Sequence, residues 1–292
     1  MGGRVKAAER RLSRRVPPGA RKRLAAVAGP RALAWYRRRR TDVVLVSFPK
    51  CGRTWLRFMV GRALQAHYGL PGHADVVELG RLAELDPRVP RIEVTHDDDP
   101  QTRAAADVER DKSRYRDRRV VLLVRDPRDV IVSLYHQMHG RRRRYRGTLE
   151  AFVDEPVGGF ASVLAFYDAW AAAIDVPAAV LVVRYEDLHA DPARELARVI
   201  AFAGAGDVPD AVVADAVEQG AFANMRAVEE AGGTGSDKLR PVRPGAVDTY
   251  KTRRGVVGGF RDELGPEVVA RLDARVAVSP GAARFGYGPG AA

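Results

Sequence analysis

Three short runs of apolar residues, rich in β-branched side chains, constrain the fold of this chain more than any other feature. They are Val43–Val46, Val120–Val124 and Val180–Val183, and none of them alternates apolar with polar residues. Runs of this kind are typical of strands that are buried on both faces of a sheet. The segment Ile92–Thr95 is a weaker candidate for a fourth strand.

Segments with helical character separate these runs. We expect helices over Thr54–Tyr68, Asp129–Met138 and Pro192–Phe202, the second capped by its first Asp and the third opened by its Pro. The apolar segment Phe160–Ile174 predicts a buried helix. Strands that alternate with helices predict an α/β fold, in which a central parallel sheet is flanked by helices.

The distribution of charge divides the chain into two parts. Of the 49 Lys and Arg residues, 14 lie in residues 1–40 together with one of the 37 acids, so residues 41–292 hold 35 basic and 36 acidic side chains. We interpret residues 1–40 as a basic Arg/Ala-rich extension and residues 41–292 as a single domain. The Gly- and Pro-rich segment 234–247 is more typical of a long active-site loop than of a domain boundary.

The basic extension, the charge of the body, the lack of long apolar runs and the single cysteine each limit the function or the location of the protein. The extension predicts either a solvated, partly helical segment or an arm for anionic membranes or nucleic acid, and Trp35 and Tyr36 beside four arginines favour the membrane interface. The nearly neutral body argues against nucleic-acid binding. We expect a cytoplasmic protein, because no export signal and no apolar run of bilayer-spanning length is visible. One cysteine, Cys51, excludes an internal disulfide and a thiolate zinc cluster.

The segment between the first strand and the first helix predicts a phosphate site. It reads Phe48-Pro49-Lys50-Cys51-Gly52-Arg53-Thr54-Trp55. Unpaired N–H groups at a helix N-terminus attract anions, Gly52 allows close backbone approach, and Lys50 adds a positive charge. The order of residues differs from a Walker A loop, in which the Lys follows the second Gly. An ordinary strand-to-helix turn is the alternative.

This loop resembles the 5′-phosphosulfate-binding segment of the cytosolic-type sulfotransferases, which reads much like Y-P-K-S-G-T-T-W-L. The resemblance implies that Lys50, Cys51, Gly52, Arg53, Thr54 and Trp55 bind the donor 3′-phosphoadenosine-5′-phosphosulfate. Arg53 stands where the family has Thr, a change that keeps the backbone N–H donor, removes a hydroxyl and is expected to add a positive charge at the phosphate. The resemblance extends over about residues 43–275 and implies a single P-loop-like α/β domain over residues 41–292.

A second segment resembles the part of the same family that binds the 3′-phosphate. It runs from the strand Val120–Val124 through Arg125-Asp126-Pro127-Arg128-Asp129 to Ser133. The resemblance implies that Arg125 and Ser133 hold the 3′-phosphate. A Walker B aspartate at Asp126 and a structural salt bridge between Arg125 and Asp129 are the alternatives.

Three further segments resemble the family's donor site. Tyr185, in Tyr185-Glu186-Asp187-Leu188, is expected to contact the adenine, with Glu186 and Asp187 in structural roles. Phe222, with Met225 three residues later, is expected to stack on the adenine, although plain core packing is an alternative for this pair. Arg253, Arg254 and Gly255 are expected to meet the 3′-phosphate, with a solvated basic turn as the alternative.

Sulfuryl transfer requires a base for the acceptor proton and positive charge at the leaving phosphate. His96, in Val94-Thr95-His96, resembles the family's K-T-H segment, with Val94 in place of the Lys. The resemblance implies that His96 is the general base and that Lys50 stabilises the leaving phosphate, and a loop histidine without a catalytic role is the alternative. A free imidazole titrates near pH 6.5. The adjacent Asp97, Asp98 and Asp99 are expected to point apart into solvent, and the alternative is that Asp97 or Asp98 orients His96 or faces a cationic acceptor. No metal is expected.

The sequence therefore predicts a sulfotransferase that converts its donor to adenosine 3′,5′-bisphosphate (PAP). The acceptor is expected to be a small molecule, a sugar or a lipid, and the arginines between 141 and 146 suit an anionic one without requiring it. A P-loop nucleotide kinase or hydrolase is the alternative, followed by a basic nucleic-acid-binding protein.

Overall fold

Four parallel strands form the centre of the protein. The computed structural model describes residues 41–232, 250 and 252–288. The strands are β1 (Val43–Ser47), β2 (Ile92–Thr95), β3 (Arg119–Val124) and β4 (Ala179–Arg184). They lie side by side in the order β2-β1-β3-β4, and every neighbouring pair is parallel.

Two of the three apolar runs form the core of the sheet, whereas the prediction of full burial is wrong for Val180–Val183, because β4 is an edge strand in which only Val183 is buried. All five residues of β1 are buried, and so are the last five residues of β3. β2 is an edge strand and is largely accessible, which explains why its apolar pattern is weak. The α/β fold class predicted from the sequence is confirmed.

Helices flank the sheet in two packed sets. They are α1 (Arg53–Tyr68), α2 (Leu79–Leu85), α3 (Pro127–His136), α4 (Leu149–Val153), α5 (Phe160–Ala172), α6 (Tyr185–Ala190), α7 (Pro192–Ala203), α8 (Asp210–Gln219), α9 (Phe222–Glu230), α10 (Pro266–Ala277) and α11 (Pro280–Arg284). α1 packs against α2, α7 and α8, whereas α5 packs against α3 and α11. A single π-turn, Gln137–Arg141, continues α3.

Two local predictions need correction. The cap of α3 is Asp126, whose carboxylate accepts a hydrogen bond from the Arg128 N–H; Asp129 lies within the first turn instead. α3 ends at His136 rather than at Met138, because the chain continues in the π-turn. The basic extension 1–40 and the segment 234–247 lie outside the described residues, so the predictions for them stay predictions.

Candidate functional site

The carboxyl ends of all four strands carry a residue that the sequence marks as functional. His96 directly follows β2, Lys50 lies three residues after β1, Arg125 directly follows β3, and Tyr185 directly follows β4. Connections leave β1 in one direction toward β2 and leave β3 in the other toward β4, so β1 and β3 flank the topological switch point. Ligands of open α/β sheets bind in the crevice at this point.

One cavity of about 730 Å³ opens at this edge of the sheet. Almost every residue singled out in the sequence lines it. These are Lys50, Gly52, Arg53, Thr54, Trp55, His96, Arg125, Ser133, Tyr185, Phe222, Met225, Arg253, Arg254 and Gly255. Adjacent strands lie about 4.8 Å apart, so the cavity floor extends about 14 Å from the end of β2 to the end of β4.

Cys51 is the exception, because its side chain points into the core rather than into the cavity. It is fully buried, and its Sγ lies 3.8 Å from the Tyr167 hydroxyl. Burial raises the pKa of Cys51 to about 12. A thiol in this state is not a nucleophile, so only the backbone of Cys51 is available to a ligand.

The turn between β1 and α1 has an unusual backbone that requires glycine at one point. Gly52 caps α1 with a φ of 87°, and a Cβ at this position would lie 2.5 Å from the Tyr185 ring. Lys50 also has a positive φ, of 74°, which is uncommon for a residue with a side chain. The loop is thus held in one shape by Tyr185, and its N–H groups stand at the N-terminus of α1.

Lys50 lies among cations rather than among acids. Burial lowers the pKa of Lys50 to about 8, and the nearby Arg125, Arg141 and Arg253 lower it further than Glu229 can raise it. No described carboxylate forms an ion pair with the Lys50 ammonium. This part of the cavity therefore carries a positive potential that a bound anion would relieve.

Arg125 is held in place by several contacts, including the structural salt bridge considered above. Its guanidinium lies 3.3 Å from the Asp129 carboxylate, donates to the Val256 carbonyl at 3.0 Å, and stacks over the Tyr185 ring. Asp129 also accepts hydrogen bonds from the N–H groups of Gly258 and Phe260. Asp129 thus ties α3 to the segment after Arg253, and Arg125 Nε remains buried without a hydrogen-bond partner.

One aromatic cluster and a separate exposed aromatic ring lie at the β4 end of the cavity. Trp55, Tyr185 and His189 pack edge-on or tilted against one another, and Trp55 Nε1 donates to the Gly220 carbonyl at 2.8 Å. Phe222 is 46% exposed, which is unusual for a large apolar side chain, and its ring lies over Gly255.

Met225 is buried in a small cluster with Phe58 and Val77. The core-packing alternative therefore describes Met225 well, although the residue also reaches the cavity wall.

Arg253 and Arg254 already form ion pairs with acidic side chains in the free protein. Arg253 donates to Glu263 at 2.6 Å, and Arg254 pairs with Asp262 and Glu263. Burial alone would raise the pKa of Glu263, but His136 and Arg253 lower it to about 2. No local pattern in the sequence indicates that Glu263 faces this turn.

His96 lies at the β2 end of the cavity and is held at both ring nitrogens. Its Nδ1–H donates to the Ser47 carbonyl at 3.0 Å, and its Nε2 contacts the Arg53 guanidinium. Burial, and then the charge of Arg53, lower the pKa of His96 to about 3. The imidazole is therefore neutral well below the pH at which a free histidine titrates.

The acids that follow His96 do not form one solvated group. Asp97 is buried with Lys112 at 2.8 Å, accepts from the Tyr115 hydroxyl at 2.6 Å and from Trp170 Nε1 at 2.9 Å, and also binds Arg114. Burial would raise the pKa of Asp97, but these partners outweigh it and hold the pKa below its ordinary value. Asp97 therefore anchors the turn and does not touch the imidazole.

Sequence reasoning left several cavity residues without a role. Arg141 and Arg142 line the wall from the π-turn, and Arg57 lines it from α1. Arg141 pairs with the fully buried Glu229 at 3.2 Å, a contact across 88 positions of sequence. A basic run in the sequence marks the arginines, but nothing in it marks Glu229 as their partner.

These features, a parallel sheet with a β1–α1 anion loop and cations after β3, define an α/β transferase of the P-loop-like kind. Residues 40–278 match the sulfotransferase domain family, and the chain belongs to that family. It is an enzyme, a sulfotransferase of the cytosolic type.

Known relatives agree with this assignment. Cytosolic sulfotransferase 17 of Arabidopsis thaliana is 26% identical over 263 residues, which cover 83% of this chain and 75% of the relative. The fold is similar to that of mouse sulfotransferase SULT7A1 complexed with PAP, with a TM-score of 0.57, 20% identity, and coverage of 84% of this chain and 88% of that one. It is also similar to retinol dehydratase in complex with androsterone and PAP, with a TM-score of 0.58, 16% identity, and coverage of 80% and 78%.

Two kinds of feature are absent from the described residues. No helix among them is both long and apolar enough to cross a membrane. Within the same residues, no three His, Cys, Asp or Glu side chains are grouped so as to hold a metal ion.

Proposed function

We propose that this enzyme transfers the sulfonate group of 3′-phosphoadenosine-5′-phosphosulfate to a hydroxyl or amine of a small-molecule, sugar or lipid acceptor, and releases PAP. One observation carries the proposal: a single cavity joins an aromatic end at β4, a cationic middle at β1 and β3, and a histidine at β2. The two solved relatives described above were both crystallised with PAP, which supports the same donor here.

The residues of the cavity fit a nucleotide that carries two anionic groups. Lys50 lies among arginines with no described carboxylate paired to it, and Arg125 keeps a buried Nε without a partner. The exposed Phe222 ring offers a face for a base to stack on. An adenosine with phosphates at both ends would match these features along the strand ends.

The proposed roles divide between the two ends of the cavity. The bound donor supplies an electrophilic sulfur, whose bond to the phosphate oxygen breaks as the acceptor oxygen bonds to it. Lys50 and the N–H groups of the β1–α1 loop stabilise the charge that develops on the leaving phosphate. A pKa of about 8 leaves Lys50 mostly protonated at pH 7. His96 takes the acceptor proton at Nε2, because its Nδ1 is already bonded to the Ser47 carbonyl.

The alternatives find less support. A nucleotide kinase or hydrolase of the P-loop type uses a Lys after the second Gly of the loop, whereas Lys50 precedes Gly52. A nucleic-acid-binding role would rest on residues 1–40, outside the described residues. The expected cytoplasmic location is retained in the proposal because the Arabidopsis relatives are named cytosolic.

A thermal melt with different nucleotides tests the donor. A ligand at 100 times its dissociation constant stabilises a protein by about 2.7 kcal/mol. PAP should raise the Tm, whereas ATP with magnesium should have little effect. The opposite pattern would contradict the proposal and favour a kinase or hydrolase.

The His96→Ala variant tests the base. Its turnover should fall by about 10²–10⁴, because a general base contributes that factor, while PAP binding stays unchanged. His73→Ala is the matched control, since His73 is an exposed loop residue outside the cavity. Near-normal turnover of His96→Ala, with the chemical step rate-limiting, would place the base elsewhere.

A further inference from the structure

The proposed base is blocked in the free protein by its own neighbour. The Arg53 guanidinium carries only hydrogen-bond donors, so its contact with His96 Nε2 requires that nitrogen to be the acceptor. The other guanidinium arm donates to the Thr95 carbonyl. The lone pair that would take the acceptor's proton is therefore occupied by Arg53.

Arg53 is also a cation without an acidic partner. Its side chain lies partly buried in the cavity wall, and burial lowers its pKa to about 10. No described carboxylate forms an ion pair with Arg53 or with the nearby Arg142. A partly desolvated charge without a counter-ion is unfavourable, so this end of the cavity favours an anionic ligand.

Other charges near His96 do not supply that counter-ion. The charge of Asp99 raises the pKa of His96, whereas the charges of Arg53 and Arg142 both lower it. Glu78, on the same wall, is paired with Arg57 at 3.7 Å. Glu93, on β2, also lines the cavity, and its carboxylate accepts a hydrogen bond from the Thr41 hydroxyl at 3.3 Å. The charges that act on the imidazole itself come from Arg53, Arg142 and Asp99, two cations and one anion, so the charge around His96 is positive.

The position of the guanidinium indicates which ligand carries the anion. Arg53 bonds to the carbonyl and imidazole at the end of β2, where an acceptor hydroxyl must lie to give its proton to His96. Lys50 and Arg125 lie toward β3 instead and match the donor's phosphates. An anion bound by Arg53 would therefore belong to the acceptor.

We propose that Arg53 recognises an anionic group of the acceptor and, in turning toward it, uncovers His96 Nε2. This inference rests on the function proposed above. The acceptors would be hydroxyl compounds with a carboxylate, sulfate or phosphate group close to the hydroxyl. Binding of the anion releases the imidazole, the acceptor O–H proton passes to Nε2, and the acceptor oxygen bonds to the sulfur as the sulfur–phosphate oxygen bond breaks.

The test compares two acceptors that differ in one charge. meta-Hydroxyphenylacetate and its amide have similar phenols and shapes, but only the first is an anion. Wild type should have a higher kcat/KM for the anion than for the amide. The variant Arg53→Thr, which has the Thr of the family segment at this position, should lower that ratio about tenfold to a hundredfold, because one charged hydrogen bond contributes that factor. The kcat/KM for the amide should hold steady or rise, because the base is no longer covered.

A pH profile distinguishes two roles of Arg53: covering His96 Nε2, and merely attracting an anionic acceptor. Arg53 lowers the pKa of His96, so removing the guanidinium should raise that pKa while Asp99 and Arg142 remain. The acid limb of kcat/KM for the amide should therefore move to higher pH in Arg53→Thr. Arg116→Thr, which replaces an exposed arginine outside the cavity, should match wild type in every measurement.

A binding measurement needs no turnover. In the presence of PAP, benzoate should raise the Tm of wild type and not that of Arg53→Thr. PAP alone should still stabilise both proteins, because Arg53→Thr keeps the backbone N–H of residue 53, which is the group that the anion loop would offer to the donor. Equal responses to benzoate, or an unchanged acceptor preference, would overturn the proposal. Loss of PAP binding in Arg53→Thr would assign Arg53 to the donor and overturn it too. Failure of wild type to bind PAP would instead contradict the proposed function.

Discussion

Replacing Asp97 by Asn should destabilise the protein far more than a surface change does. The Asp97 and Lys112 side chains are both fully inaccessible and lie 2.8 Å apart. The Asp97→Asn change would keep the size of the side chain but leave the Lys112 ammonium buried without an anion. Breaking one side of a buried ion pair costs about 3–5 kcal/mol, which lowers the Tm of a domain this size by about 6–10 °C.

The adjacent residue provides a matched control. Asp98 is 45% exposed, and its one ion pair within the described part of the chain is with the similarly exposed Arg103. Asp98→Asn should change the free energy of unfolding by less than about 0.5 kcal/mol, since exposed pairs contribute little. The double variant Asp97→Asn with Lys112→Met should recover part of the loss, because it removes the stranded charge.

Urea unfolding at several pH values is the assay. The pKa of Asp97 is lower in the folded protein than in the unfolded chain, so its contribution is fully present above the unfolded value and is lost as pH falls through the folded value. The difference between wild type and Asp97→Asn should thus be constant from pH 6 to 8 and shrink below about pH 4. A difference under about 1 kcal/mol at pH 7 would refute the reasoning.

The same anchor bears on catalysis. Asp97, Asp98 and Asp99 all have positive φ angles, of 59°, 73° and 52°, directly after His96. Such backbone is unfavourable for residues with side chains and persists where surrounding contacts enforce it. Asp97→Asn should therefore also lower turnover through the placement of His96, with little change in PAP binding.

Three further predictions concern the donor end of the cavity and the extension. Arg125→Ala should weaken PAP binding by about tenfold to a hundredfold while hardly affecting the nucleotide that lacks the 3′-phosphate; equal losses in calorimetric titrations would refute the assignment of Arg125 to the 3′-phosphate. Gly52→Ala should reduce the PAP-dependent Tm shift, because its Cβ meets the Tyr185 ring, whereas Gly69→Ala, with φ 63° and nothing within 4 Å, should not. Deleting residues 1–40 should leave PAP binding intact, and co-sedimentation with anionic vesicles would show whether they form a membrane arm.

Local sequence signals predicted the parts of the molecule that local physics determines. The runs Val43–Val46 and Val120–Val124 are fully buried because they lie in the two central strands of a parallel sheet, whereas Val180–Val183, equally apolar, lies in an edge strand and is mostly half-buried. Asp126 and Asp129 show the limit of such signals. Both are acids near a helix start, and Asp126 caps the helix while Asp129 binds the distant Gly258 and Phe260.

The contacts that define the chemistry join residues far apart in sequence. Arg53 meets His96 across 43 positions, and Asp97 meets Trp170 across 73. Sequence patterns assign a role to each residue from its neighbours in the sequence. They therefore predict an ordinary histidine pKa for His96 and a solvent-exposed side chain for Asp97. Only the packed structure shows that His96 is held neutral and that Asp97 is buried.

Lys50, in the β1–α1 loop, and Arg53, the first residue of α1, reach opposite sides of the cavity, and under the proposed function this would separate the choice of donor from the choice of acceptor. Lys50 lies close enough to Arg125 and Arg253 for their charges to lower its pKa, so its potential belongs to the β3 side of the cavity. Arg53, three residues later, reaches Thr95 and His96 on the β2 side. If the acceptor and the donor bind as proposed, a change at position 53 should alter the charge at the acceptor while the charges around the donor stay the same. Residues 41–292 carry almost equal numbers of basic and acidic side chains, so this local excess of positive charge arises from placement rather than from composition.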